Sequence, residues 1–144
     1  MNETIKTFGY PESCVKEYDN WVVLLRPKQV TLGSLVLAEK SAATSYGGIS
    51  PEAMAEQRLA VMELEATLKS AFGPEKFNYL MLMMVDPNVH FHVIPRYSAA
   101  KAFDGQDFED TGWPKLPDMA SSHDVTDKTR NALLNHLQEN WANF

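Results

Sequence analysis

The segment Val89–Tyr97, "VHFHVIPRY", constrains the fold of this chain more than any other. Apart from two histidines and a Pro-Arg pair, it is apolar and largely β-branched, which indicates a strand. Alternate side chains of a strand share a face, so His90 and His92 lie on one face with Asn88, while Phe91 lies on the other. We therefore expect a strand packed against a core on one side, with two imidazoles roughly 6–7 Å apart on the other.

Three further segments have strand composition. Trp21–Leu25 and Ser34–Ala38 are separated by a short loop, so we expect them to be antiparallel neighbours. "FNYLMLMM", residues 77–84, precedes the histidine strand, and the intervening Asp86-Pro87-Asn88 suits a tight turn. These two strands are thus predicted to form a hairpin, with the Met run filling the core.

Two helices are predicted, and they complete an α+β chain with an antiparallel sheet. The first is capped by Ser50, has Pro51 in its first turn and stops at Gly73-Pro74. The second follows Thr126 and runs from about 127 to 141, after an irregular segment at 99–121. Their apolar stripes consist of Val61, Leu64, Leu68 and Phe72 in the first helix, and of Leu133, Leu134, Leu137 and Trp141 in the second.

Composition excludes several classes of protein. The chain has 144 residues and no linker or repeat, so a single domain spanning 1–144 is expected. A net charge of −6 disfavours binding to nucleic-acid polymers and to anionic membranes. Any phosphate ligand would have to be bound by a few donors placed close to it. The single cysteine, Cys14, permits no internal disulfide and is expected to be inert. With no apolar run near 18 residues and no signal-peptide pattern, we expect a cytoplasmic protein.

"DPNVHFHVIPR" resembles the signature of the histidine triad (HIT) superfamily, in which three histidines alternate with apolar residues. The three positions are Asn88, His90 and His92 here. "NWVVLLRPKQVTLGSLVLAEK" is similar to the upstream hairpin of the family, so the resemblance covers about residues 8–97. It implies a five-stranded antiparallel sheet with two main helices, commonly dimerising into a ten-stranded sheet. Residues 98–144 would be a C-terminal elaboration and helix.

The resemblance implies a nucleotidyl hydrolase that cleaves nucleoside phosphate esters, dinucleoside polyphosphates or phosphoramidates at the α-phosphate. The family's nucleophile corresponds to His90, and neutral imidazole is a competent nucleophile at pH 7. Its third histidine corresponds to His92, which would hydrogen-bond phosphate oxygens and favours the hydrolase branches. No protein-bound cofactor is implied, although a divalent metal could accompany the nucleotide.

Asn88 departs from the family pattern. It can donate and accept hydrogen bonds but cannot carry a proton, and it is placed either on the histidine face or within the turn. The loop before it, "VDPN", lacks the glycines and the phosphate-gripping Gln or Ser of family hydrolases.

The resemblance also implies sites for nucleotide or phosphate contact outside the triad. Arg26 would lie near the nucleotide sugar. Apart from the resemblance, Trp113 in the irregular segment is expected either to be a local anchor or to cover the site and stack on a base. The full set of expected nucleotide or phosphate contacts is Arg26, Ser34, Asn78 and Arg96.

Other interpretations remain open. Histidines on a strand often have no catalytic or binding role. Two alternate histidines can also bind zinc, but only if folding brings a third ligand near them, such as His123 or His136. Within the family, the chain could instead be a catalytically weak or inactive nucleotide-binding regulatory protein. A dimeric scaffold without a ligand is the third possibility.

Overall fold

Five antiparallel strands form the central sheet of the computed structural model, which describes residues 1–144. Their order across the sheet is β1-β2-β3-β5-β4, so β1 and β4 are the edges. The strands are β1 (Cys14–Glu17), β2 (Trp21–Leu25), β3 (Leu35–Glu39), β4 (Lys76–Leu80) and β5 (His90–Arg96); β6 (Lys101–Phe103) and β7 (Gln106–Phe108) form a separate hairpin. The helices are α1 (Glu3–Thr7), α2 (Pro51–Phe72) and α3 (Asp127–Glu139). The predicted α+β architecture is confirmed.

The two faces of the sheet are covered differently. On one face, α2 and α3 bury the main core, which includes Trp21 and Val93 from the sheet and Leu64 and Leu133 from the helices. On the other face, α1 contributes Ile5 to a smaller cluster. Its other members are Val22, Leu24, Val36 and Ala38. Because Ala38 pairs with His90 and Val36 with His92, the histidines lie on this second, thinly covered face.

Both predicted helices form where their capping residues indicate. The Ser50 hydroxyl accepts a hydrogen bond from the Ala53 N–H, and Gly73 ends α2 in the left-handed region at φ +64°. At α3, the Thr126 hydroxyl accepts from the Thr129 N–H. That helix ends at Glu139, two residues before the predicted boundary.

The first arm of the predicted hairpin is shorter than its composition suggests. β4 ends at Leu80, which pairs with His92, and residues 81–89 form a loop in place of a tight turn. In this register Met81 and Leu82 would lie opposite Phe91 and His90 of β5, but the chain leaves the sheet after Leu80, and Met83 has φ +50°, outside the strand region. The interpretation of the Met run as core filling is therefore wrong for Met84, which is 88 % exposed, while Met81 and Met83 are half-buried.

Four elements were not predicted: α1, β1 and the two strands β6 and β7. α1 has five residues and β1 four, too few to show a periodicity. The segment 99–121 was expected to be irregular, but it contains the β6–β7 hairpin. Its turn is Asp104-Gly105, with φ +51° and +77°, a pair typical of two-residue hairpin loops.

No helix is both long and apolar enough to cross a membrane.

Candidate active site

His90 and His92 face the same side of β5 and contact each other. Their ring centroids are 5.2 Å apart, with the planes at 81°. Phe91 points to the opposite face, where its ring lies 6.3 Å from Trp21 and 5.4 Å from Tyr46. The alternation expected of the strand is thus present, and the aromatic packing beneath Phe91 supports the strand that carries both imidazoles.

His90 is oriented by a backbone carbonyl. Its Nδ1 lies 2.7 Å from the carbonyl oxygen of Asn88, and its side chain is almost fully buried. A carbonyl oxygen only accepts hydrogen bonds, so Nδ1 carries the hydrogen and donates it. In the neutral ring Nε2 then has the free lone pair, which is the arrangement that a nucleophilic imidazole requires.

His92 is held in the other tautomer. The Nε–H of Arg26 donates to Nδ1 of His92 over 3.4 Å, and a guanidinium has no acceptor, so the hydrogen of the neutral ring is on Nε2. Burial, which is the largest cause, together with the positive charge of Arg26 and the neighbouring His90, lowers the pKa of His92 to about 4. His92 is therefore neutral at pH 7 and presents a hydrogen-bond donor.

Phe8 covers both imidazoles. Its ring centroid is 5.6 Å from that of His90 and 5.7 Å from that of His92. The residue follows α1, whose Ile5 is anchored in the smaller apolar cluster. Sequence reasoning missed Phe8, because nothing in the sequence before Cys14 indicates that this segment crosses the sheet.

The histidines line a cavity of about 310 Å³, which we name the histidine cavity. Phe8 and Arg26 form two of its walls, and the loop at 82–86 forms a third. This loop includes Asp86 and three exposed apolar residues, Leu82, Met84 and Val85. The cavity is at the lower end of the volume range for small-ligand pockets, and it is open to one side.

Asn88 is not among the residues that line this cavity. It is buried, and its Oδ1 accepts hydrogen bonds from the hydroxyl of Thr4 at 3.0 Å and from the Thr4 N–H at 3.4 Å. Its Nδ2 donates to the carbonyl of Ala42 over 3.4 Å. The side chain thus fastens α1 to the start of β5, and only the backbone carbonyl of Asn88 contacts the histidine pair.

Ser34 is likewise separate from the histidine cavity. It is fully buried, and its hydroxyl donates to the carbonyl of Thr31 at 2.8 Å and accepts from the Thr31 N–H at 3.0 Å. Both bonds close the turn between β2 and β3. Arg26 is the one expected phosphate contact that the fold brings to the histidines.

Asn78 and Arg96 lie on the histidine face but line a different cavity of about 770 Å³, beside the edge strand β4. Arg96 is almost fully buried and forms an ion pair with Asp110 at 2.7 Å, while its Nη1 donates to Oδ1 of Asn78 at 2.6 Å. Trp113 lines this cavity too, and not the one at the histidines.

The remaining histidines and the cysteine lie elsewhere. His123 bonds to the backbone of Glu109, and the ring of His136 lies tilted beside that of Phe72, with their centroids 5.9 Å apart. No group of three or more His, Cys, Asp or Glu residues is placed to hold a metal ion. Burial raises the pKa of Cys14, which disfavours the reactive thiolate.

Comparison with solved structures shows the fold of histidine triad proteins. A histidine triad protein from Sinorhizobium meliloti superposes with a TM-score of 0.75 at 18% identity, over 97% of this chain and 95% of that one. A histidine triad protein from Bradyrhizobium japonicum superposes with a TM-score of 0.75 at 15% identity, over 99% of this chain and 97% of that one. One from Marinobacter aquaeolei superposes with a TM-score of 0.64 at 20% identity, over 98% of this chain and 94% of that one. No protein-family model matches the sequence, and no curated protein matches it.

Proposed function

We propose that this protein hydrolyses nucleoside phosphate esters, anhydrides or phosphoramidates at the α-phosphorus, through a nucleotidyl intermediate on His90. His92 and Arg26 are the proposed phosphate-binding groups. The observation that carries the proposal is the pairing of two imidazoles at one cavity whose hydrogen bonds select opposite tautomers, because Nε2 of His90 then offers a lone pair and Nε2 of His92 a donor.

In the first step, Nε2 of His90 attacks the α-phosphorus. The bond from phosphorus to the leaving group breaks, and its electron pair departs with that group. The ring becomes positively charged, and the carbonyl of Asn88 stabilises this charge by accepting the Nδ1–H bond. The Nε2–H of His92 and the guanidinium of Arg26 stabilise the charge on the phosphoryl oxygens.

In the second step, water attacks the phosphorus of the intermediate. The phosphorus–nitrogen bond breaks, its electron pair returns to Nε2 of His90, and the water's proton passes to the solvent. The products are a nucleoside monophosphate and the free enzyme. Since the side chain of Asn88 cannot carry a proton and does not line the cavity, the leaving group departs as an anion or takes its proton from water.

The experiment is to trap the intermediate. The protein is mixed with adenosine 5′-phosphoramidate or diadenosine tetraphosphate, quenched in base and analysed by intact and peptide mass spectrometry. We expect an adenylyl group on the peptide that contains His90. His90→Ala should lack the adduct and lose more than about a thousandfold in kcat.

His136→Ala is the matched control, because it removes an imidazole remote from the cavity. It should form the adduct as the wild type does. If the wild type and His90→Ala are equally inactive yet bind AMP, the protein is a nucleotide-binding regulator and the hydrolase proposal fails. If neither binds any nucleotide, the scaffold interpretation replaces it.

We propose further that two copies of the chain join through the edge strand β4. This strand pairs only with β5, and an unpaired edge exposes backbone donors and acceptors. The loop that follows it carries three exposed apolar side chains, Leu82, Met84 and Val85, which a second copy would cover.

A further inference from the structure

Thr4 of α1 is almost fully buried and contacts Asn88 through both its backbone and its side chain. Its hydroxyl donates to Oδ1 of Asn88 over 3.0 Å and accepts from the Asn88 N–H over 3.1 Å. A hydroxyl has one hydrogen and also accepts, so both bonds form at the same time. Thr4 therefore fixes the side chain and the backbone of a residue that is 84 positions away in the chain.

Asn88 has few other partners. It is in the loop at 81–89, outside the strands, so no strand pairing fixes its backbone. Its Nδ2 and the N–H of the next residue donate to the carbonyls of Ala42 and Ala43, over 3.4 Å and 3.3 Å. Both bonds are longer than is usual for N–H···O hydrogen bonds. The hydroxyl of Thr4 is thus the closest partner that holds this residue in place.

The carbonyl of Asn88 is the group that orients the proposed nucleophile. It accepts the Nδ1–H of His90 at 2.7 Å and so leaves the lone pair of the neutral ring on Nε2. If Asn88 turned, this acceptor would move away and the ring could adopt the other tautomer, with its hydrogen on Nε2. A ring of that tautomer has no lone pair at Nε2 with which to attack phosphorus.

Thr4 also holds the residue that covers the imidazoles. Its carbonyl accepts the N–H of Phe8 over 3.2 Å, at the end of α1. The ring of Phe8 lies against His90 and His92. Thr4 therefore connects the segment that orients the imidazole of His90 with the segment that covers it.

We propose that Thr4 is a positioning residue for the nucleophile: by fixing Asn88, it keeps the hydrogen of His90 on Nδ1 and the lone pair on Nε2. The inference rests on the proposed function for the role of His90 in attack. The tautomer itself can be measured without a substrate. The inference gives α1, which contributes no group to the reaction, a part in the geometry of the site.

The test is the tautomer of His90 in protein labelled with ¹⁵N-histidine. It is read from long-range ¹H–¹⁵N correlations at pH 8, where an ordinary imidazole is neutral, and the signals are assigned with His90→Ala. In the wild type, the Nδ1–H form should exceed the Nε2–H form about tenfold or more, as one hydrogen bond provides. Thr4→Val keeps the branched shape without the hydroxyl and should lower this ratio at least about threefold. Thr4→Ser retains the hydroxyl and should keep the wild-type ratio.

Kinetics give a second measurement. Thr4→Val should lower kcat for adenosine 5′-phosphoramidate by roughly ten- to a hundredfold, because a misplaced reacting group has an effect of this order. KM should stay within about twofold, since Arg26 and His92, the proposed phosphate-binding groups, keep their contact. Thr4→Ser should restore kcat. A role in stability alone would leave kcat of the folded protein unchanged.

Thr67→Val is the matched control. Thr67 of α2 is as deeply buried as Thr4 and does not line the histidine cavity. Its hydroxyl likewise donates to one group, the carbonyl of Glu63, and accepts from another, the N–H of Ala142. The variant loses similar hydrogen bonds without affecting Asn88, so it should keep the wild-type tautomer ratio and kcat.

The inference fails if His90 of the wild type has its hydrogen on Nε2, a result that needs no variant to fold. It also fails if Thr4→Val leaves the ratio unchanged, if Thr67→Val lowers it equally, or if the ratio falls while kcat of the active enzyme does not. A fall confined to Thr4→Val supports the inference, even if no adduct forms on His90 and the hydrolase proposal fails. An adduct together with an unchanged ratio leaves the hydrolase proposal standing and overturns only the inference.

Discussion

His92 is the residue whose surroundings have the clearest thermodynamic consequence. Its pKa is about 4 in the folded protein and near 6.5 when the chain is unfolded. Between these values the unfolded chain binds a proton that the folded protein excludes, so acidification favours unfolding across this window. Below pH 4 both states are protonated, and this contribution to the free energy of unfolding stops changing.

Replacing His92 with Gln should remove that contribution. Between pH 7 and pH 4.5, we expect the wild type to lose about 1–2 kcal/mol more free energy of unfolding than His92→Gln, since partial exposure screens part of the effect. Urea denaturation at several pH values measures it. If the two proteins lost the same free energy of unfolding over this pH range, the pKa of His92 would not be lowered by folding.

Much of the histidine pair was predictable, but its partners were not. The alternation of "VHFHV" is local, so it sufficed to place both imidazoles on one face and Phe91 beneath them. The contacts of Phe8, Arg26 and Thr4 join segments far apart in the chain, and their geometry depends on how α1 crosses the sheet. For the same reason, sequence alone did not show that the side chain of Asn88 turns away from the histidines.

Among the elements, α1 depends most on contacts outside itself. Five residues are too few for a stable isolated helix. Its order derives from Ile5 in the apolar cluster and from Asn88, which bonds to Thr4. The element that carries Phe8 to the site is therefore held by a residue at the start of β5.

Asn88→Ala should destabilise the protein. It would leave the buried Thr4 hydroxyl and N–H without their acceptor, at a cost of roughly 1–3 kcal/mol. Urea denaturation gives the change, with Asn135→Ala as the exposed control. An unchanged free energy of unfolding would show that these bonds contribute nothing net and that Asn88 has another role.

Element boundaries were predictable where capping residues mark them and not at the end of β4, where no such residue stands. Ser50 and Thr126 mark the beginnings of α2 and α3 because their hydroxyls accept hydrogen bonds from the first turn, and Gly73 marks the end of α2 by its left-handed conformation. β4 has no such mark: it ends at Leu80, although β5 continues for two residues beyond the pair Leu80–His92. The apolar run after Leu80 therefore predicted a strand, whereas the chain leaves the sheet there and forms the loop at 81–89.

For the molecule as a whole, the proposed dimer can be tested by sedimentation equilibrium. We expect twice the monomer mass at micromolar concentration. The double variant Leu82→Lys, Val85→Lys should shift the equilibrium toward monomer, because it places charge on the surface that the second copy would cover. Met54→Lys, a change at a partly exposed residue of α2, is the control. A single-copy mass at every concentration would contradict the dimer.

The strand β5 has both imidazoles on one side and Phe91 and Val93 in the packed interior on the other. A close-packed interior transmits small volume changes to its neighbours. Replacing Trp21 with a smaller residue would therefore shift Phe91, which it contacts, and with it the imidazole of His90 on the same strand. The stability of the fold and the geometry of the histidine pair therefore depend on the same seven-residue strand.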